Sequence, residues 1–182
     1  MRVFGISAAA ACVFLAVAAP AFAQQTNQDK GNKEIGVGGQ AFFTHNSNFT
    51  GQAFAQFSLG YFQSKKNYFG VEADPTFVFS HSAAGNNVDV GGFVSGSYRR
   101  FLGSGTGKLY PFAGGGGGGY LNGGGGGFSA QGLVFGEVGI KDYVSPKTSL
   151  EFAYRFNYLP SGQGGFSDHT LSQFVISLRH IF

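Results

Sequence analysis

From residue 34 onward the chain alternates apolar and polar positions with a period of two. In 34–43, Ile35, Val37, Ala41 and Phe43 share one face, and Glu34, Gly36, Gly38 and Gln40 share the other. That alternation predicts a strand with one apolar side. It returns in 52–61, where Ala53, Ala55, Phe57, Leu59 and Tyr61 oppose Gln52, Gln56, Ser58 and Gly60. In 69–79, Phe69, Val71, Ala73, Phe77 and Phe79 oppose Glu72, Asp74 and Thr76, and in 88–99, Val88, Val90, Val94 and Tyr98 oppose Asp89, Ser95, Ser97 and Arg99.

The second half continues with strands predicted over 109–120 and 128–140. In 149–158, Leu150, Phe152, Tyr154, Phe156 and Tyr158 oppose Glu151, Arg155 and Asn157. The last segment, 170–182, sets Phe174, Ile176, Leu178 and Phe182 against Gln173, Ser177 and Arg179. Most of the eight segments reach the roughly 9–11 residues that a tilted strand needs to cross a bilayer, against about 5–6 for strands of soluble sandwiches. The expected fold is therefore all-β: an eight-stranded antiparallel up-and-down transmembrane barrel, whose even strand count leaves no open edge.

The connections alternate too. Those at 63–67, 102–108 and 142–147 are short or turn-like, whereas those at 44–51, 81–87, 121–127 and 159–169 are polar and in places longer. The first set is expected at the periplasmic rim with both termini, the second as outward loops. Within the fifth segment, Gly114 to Gly119 and Gly123 to Gly127 carry no periodicity, so the pattern does not assign its faces. Tyr110 to Tyr120 is read as a strand that closure forces into place, and 121–127 as a mobile loop; the alternative is a flexible linker.

Composition agrees with a membrane protein. Only 12% of residues are charged, against about a quarter in soluble domains. Outside the N-terminus no unbroken apolar stretch of about 20 residues predicts a spanning helix. The first 23 residues read as a cleaved signal peptide: Arg2, an apolar run, then Ala21-Phe22-Ala23 before Gln24. Cys12 lies in mid-leader, so neither a lipid anchor nor a disulfide is expected. Cleavage removes Arg2 and lowers the net charge from +3 to +2, which offers nothing for nucleic acid. The predicted organisation is a leader over 1–23, a short periplasmic segment over 24–33 and a barrel over 34–182.

The leader, the eight alternating segments, the Tyr-Pro-Phe-Ala-Gly-Gly run at Tyr110 to Gly115 and the final Phe182 together resemble the small outer-membrane β-barrels of the opacity and attachment-invasion type. The resemblance implies location in the outer membrane of a Gram-negative bacterium, among outer-membrane lipids and lipopolysaccharide, as a monomer without cofactors. It also implies that the last strand, through Phe174, Ile176, Leu178, His180 and Phe182, is read by the barrel-assembly machinery after delivery by periplasmic chaperones. His180 departs from the aromatic usual two residues before the terminal Phe, which implies weaker recognition. The family spans adhesins, stress proteins and barrels of unknown role, so it implies a structural or surface-interaction function and no more.

An enzymatic reading rests on His45-Asn46-Ser47-Asn48, which is similar to a string in lipid A deacylases. There it lies towards the C-terminal half beside an acid. Here it lies in the first loop with no acid near in sequence, so no catalytic role is assigned to His45 and Ser47. His81-Ser82 and Asp168-His169 read as solvated loop pairs, and four histidines without a mature cysteine give no zinc spacing.

Charge on the polar faces is more informative. Glu34, Glu72, Asp74, Asp89, Glu137 and Glu151 share the expected lumen with Arg99, Arg155 and Arg179. A charged pore is one reading. Eight strands, however, enclose a space that side chains fill, so a closed and salt-bridged lumen is expected. The surplus of acids must then be relieved by water, protonation or lysines near the rim. Pairing Tyr158 with Thr170 across the last hairpin sets Glu151 opposite Ser177 and diagonal to Arg179, and Arg155 opposite Gln173 within reach of Glu137.

Overall fold

The computed structural model describes residues 28–44, 50–82, 85–103, 108–124, 127–160 and 169–182. Eight strands run in sequence order: β1 (Lys33–Thr44), β2 (Thr50–Phe62), β3 (Asn67–Ser82), β4 (Gly85–Phe101), β5 (Leu109–Gly124), β6 (Gly127–Tyr143), β7 (Thr148–Leu159) and β8 (His169–Ile181). Each pairs antiparallel with its neighbours, and β1 closes on β8 to form a barrel. Residues 1–27, which hold the expected leader, lie outside the described residues.

Strand parity sorts the side chains. Even-numbered positions of β1, β2, β3 and β5 point inward, as do odd-numbered positions of β4, β6, β7 and β8. The outer wall is apolar, with Phe57 53% and Phe174 62% exposed among many others. Apolar side chains all round the outside of a charged interior reverse the arrangement of a water-soluble domain; only hydrocarbon makes such a surface favourable.

Three corrections concern strand ends. β3 and β4 stay paired up to Ser82 and Gly85, so His81 and Asn86 belong to strands rather than to a loop over 81–87. β5 continues through Leu121 to Gly124 and β6 resumes at Gly127, which replaces most of the mobile loop expected over 121–127. β6 also runs on past Ile140 to Tyr143. In consequence β3 to β6 span 16–17 residues while β1, β2, β7 and β8 span 12–13. At about 3.3 Å per residue, the strands on one side of the wall are roughly 13 Å longer than those on the other.

The glycine tract of β5 is a strand because of what lies beside it. A Cβ at Gly116 would press on the Gly96 carbonyl and the Phe135 ring, and one at Gly118 on the Val94 carbonyl and Ser95. Eight strands leave a narrow interior, so the bulk of Arg99 and Phe135 is accommodated where β5 presents hydrogen atoms instead of side chains. Registers on both sides are regular, from Arg99↔Gly114 to Gly91↔Asn122 towards β4 and from Gly114↔Glu137 to Gly119↔Gly132 towards β6.

Two residues loosen the wall. Pro75 has no N–H, and the β2–β3 ladder skips from Phe54↔Thr76 to Phe57↔Ala73 around it. Gly39, at φ +157°, is the last β1 residue paired with β8, opposite Ile176. A Cβ there would meet the Phe54 carbonyl, so glycine allows β1 to leave β8 while still following β2.

Candidate functional site

The lumen is stacked in three layers. Nearest the short turns, Phe62, Tyr68, Phe101, Tyr110, Phe112, Tyr143 and Ile181 form an aromatic-rich cluster. Nearest the opposite end, Phe54, Phe93, Leu133, Phe135 and Leu159 form a second, with Tyr120 packed against it. Between them lies a belt of charge.

Arg99 on β4 is the hub of that belt. Its Nε donates to Glu137 at 2.5 Å, its Nη2 to Glu72 at 2.9 Å, and its Nη1 lies 3.1 Å from Glu151. Arg155 on β7 repeats the pattern one layer outward: Nη2 contacts Glu72 at 2.5 Å and Glu137 at 2.9 Å, while Nη1 reaches Asp74 at 3.3 Å. Arg179 on β8 approaches Glu151 at 2.8 Å and Glu34 at 3.5 Å, and donates to Ser58 Oγ at 3.0 Å. The last cation is Lys141 on β6, whose Nζ is 2.6 Å from Glu34.

These groups are within a few percent of full burial. Each carboxylate except Asp74 is shared between at least two cations, the condition under which burial of so many charges is tolerable. Aromatic faces complete the cations' surroundings, with the Arg155 guanidinium 4.2 Å from the Phe135 ring centroid, that of Arg99 5.2 Å from Phe112, and Lys141 Nζ 5.2 Å from Phe101.

Glu72, Asp74, Arg99, Glu137, Glu151, Arg155 and Arg179 thus meet in one connected network. Asp89 lies on β4 at the inward parity, opposite Val78; its side chain is outside the described ones. The residue that pattern reading missed is Lys141. Relief of the acid surplus is expected from water, protonation or lysines near the rim; Lys141 stands inside, where it shares the parity of Glu137 four residues earlier. Extending the alternation past Ile140 finds it. Five described acids then face four cations, Arg99, Lys141, Arg155 and Arg179.

Register explains the contacts. Glu137 lies directly across from Arg155, and Lys141 directly across from Glu151. From Thr148↔His180 to Leu159↔His169 the last hairpin keeps the pairing of Tyr158 with Thr170, with Glu151 opposite Ser177 and Arg155 opposite Gln173. Glu151→Gln and Arg179→Gln are each expected to destabilise the barrel, and the double mutant to lose less than the sum. A coupling of about 1–3 kcal/mol in urea unfolding is the expected result; strict additivity would mean that the two charges do not interact.

Phe174, Ile176, Leu178 and His180 point out of the barrel on β8, and Phe182, just past its end, is exposed as well. His45, Ser47 and Asp168 lie outside the described residues, and the side chains of His81, Ser82 and His169 are likewise not described. Among the described residues no group of three His, Cys, Asp or Glu is placed to hold a metal ion.

The crystal structure of Neisserial surface protein A (NspA) matches this barrel with a TM-score of 0.59 at 14% sequence identity, over 83% of this chain and 96% of that one. The likeness is one of fold, the small transmembrane barrel. No protein-family model matches the chain, and no curated protein matches it either.

Proposed function

We propose that this chain is an integral protein of the bacterial outer membrane, exported by a leader over 1–23, that acts as a non-enzymatic structural or surface-interaction barrel with a closed lumen. The observation that carries the reading is the belt of charges that spans the interior between two apolar clusters. A wall this narrow, crossed by three guanidiniums and an ammonium held by carboxylates, leaves contact with the outside to the outward ends and loops. Outer-membrane lipids and lipopolysaccharide are then its neighbours, and the lipid-facing side of β8 its presentation to the assembly machinery.

Cysteines placed at Ser82 and Gly164 are expected to react with an impermeant thiol reagent on intact cells, and one at Lys66 to stay unlabelled until the envelope is opened. Labelling at Lys66 but not Gly164 would invert the topology and remove the surface role.

A narrow channel is the second reading. It is favoured by the buried hydroxyls of Ser95, Ser97, Ser149 and Ser177, which have no hydrogen-bond partner among the described residues. Polar groups of that kind are ordinarily satisfied by water, which a narrow channel would admit.

A further inference from the structure

The 12 basic residues are distributed unevenly along the barrel axis. Arg2 belongs to the leader, and Arg99, Lys141, Arg155 and Arg179 lie in the lumen. All the others gather at the end that holds the short turns. Lys30 and Lys33 lead into β1, Lys65 and Lys66 form the β2–β3 turn, Arg100 closes β4, Lys108 precedes β5 and Lys147 lies in the β6–β7 turn. All but the half-buried Lys108 are exposed. The acidic side chains at this end are Asp29, which pairs with Lys65 at 3.5 Å, and Asp142. At the opposite end the sequence of every connection, 45–49, 83–84, 125–126 and 161–168, contains no Lys or Arg.

A groove of about 540 Å³ opens on the outside of β1, β2 and β3 at the basic end. Leu59, Tyr61, Phe69 and Val71 line it beside the backbone of Gly60 and Gly70, with Tyr61 and Phe69 stacked at 6.0 Å. Its lining is overwhelmingly apolar, and Lys33 is the cation on its wall. Among the described residues Lys33 has no ion-pair partner.

We propose that this groove seats a hydrocarbon chain of an anionic phospholipid from the periplasmic leaflet, with the lipid phosphate against Lys33 and the surrounding ring of cations holding the headgroup layer. The groove continues the lipid-facing wall, which favours a lipid over a soluble anion. The ring supplies the charge complement: each lysine or arginine near an anionic membrane surface strengthens attraction about fivefold. The outward end, with no Lys or Arg in its connections, has no comparable complement for the phosphates of lipopolysaccharide. The leaflet assignment rests on the topology proposed above.

The test is native mass spectrometry of the full barrel refolded in a neutral detergent. Phosphatidylglycerol, phosphatidylcholine with the same chains, or inorganic phosphate is added. Phosphatidylglycerol is expected to be retained about tenfold or more over phosphatidylcholine, and phosphate not at all. Lys33→Gln is expected to reduce phosphatidylglycerol retention about fivefold. Val71→Trp, which fills the groove without touching the charge, is expected to displace both lipids. Equal retention of the two lipids, or retention unchanged by both substitutions, would overturn the proposal. Binding in micelles is independent of orientation, so that failure would leave the surface-barrel reading standing. External labelling of Lys66→Cys on intact cells would instead overturn the leaflet assignment together with that reading.

Discussion

Arg99→Gln is expected to cost the barrel about 3–5 kcal/mol, the largest single loss among its side chains. The guanidinium lies between three carboxylates on three other strands, Glu72 on β3, Glu137 on β6 and Glu151 on β7. Its removal leaves five described acids to three cations in a space of low dielectric. The neighbouring Arg100 is the control. It points the opposite way by strand parity, stands exposed at the rim, and its replacement by glutamine should leave the unfolding midpoint in place. Urea unfolding in detergent micelles, followed by the mobility shift of the folded form, measures both. A midpoint for Arg99→Gln equal to that of Arg100→Gln would show that the belt contributes nothing to stability.

Tyr154→Arg is the second large effect, on the other face of the wall. Tyr154 lies midway along β7, packs against Phe174 with ring centroids 5.0 Å apart, and donates to Ser172 Oγ at 2.9 Å. An arginine near the bilayer midplane costs roughly 2–4 kcal/mol. Asn157, three residues on, points inward and donates to Gln173 at 2.7 Å, and loss of that bond in Asn157→Ser should cost roughly 1 kcal/mol. Folding yield into phospholipid vesicles is expected to collapse for Tyr154→Arg and to hold for Asn157→Ser. Equal yields would mean that lipid does not contact Tyr154.

The two faces were legible in the sequence because a barrel wall is a two-phase boundary. Ile35 against Glu34, or Phe156 against Arg155, must separate if one side is hydrocarbon and the other is charged, and a period of two is the imprint. The hairpin register of β7 and β8 followed from one turn and the same parity. What the pattern could not carry was the outward extension of β3 to β6. His81, Asn86 and Asn87 are all polar, so no apolar face marks the strands there and the segment reads as a loop. The β5 register was hidden for a different reason: glycine is the residue that fits because Arg99 and Phe135 occupy the space beside it, information that resides on other strands. Lys141 was missed by ending a strand at Ile140, although the parity of Glu137 already placed it inside.

The network also bears on how the barrel could evolve a channel. If the lumen is closed as proposed, Arg99, Arg155 and Arg179 close it together from three different strands, and opening it would require the loss of several paired charges rather than one. That makes closure a property of the whole belt. It is tested most directly by single-channel recording of the refolded protein in planar bilayers. A closed lumen predicts no resolvable current steps at neutral pH across the voltages the bilayer tolerates, and steady, ion-selective conductance by the unmodified protein would contradict it.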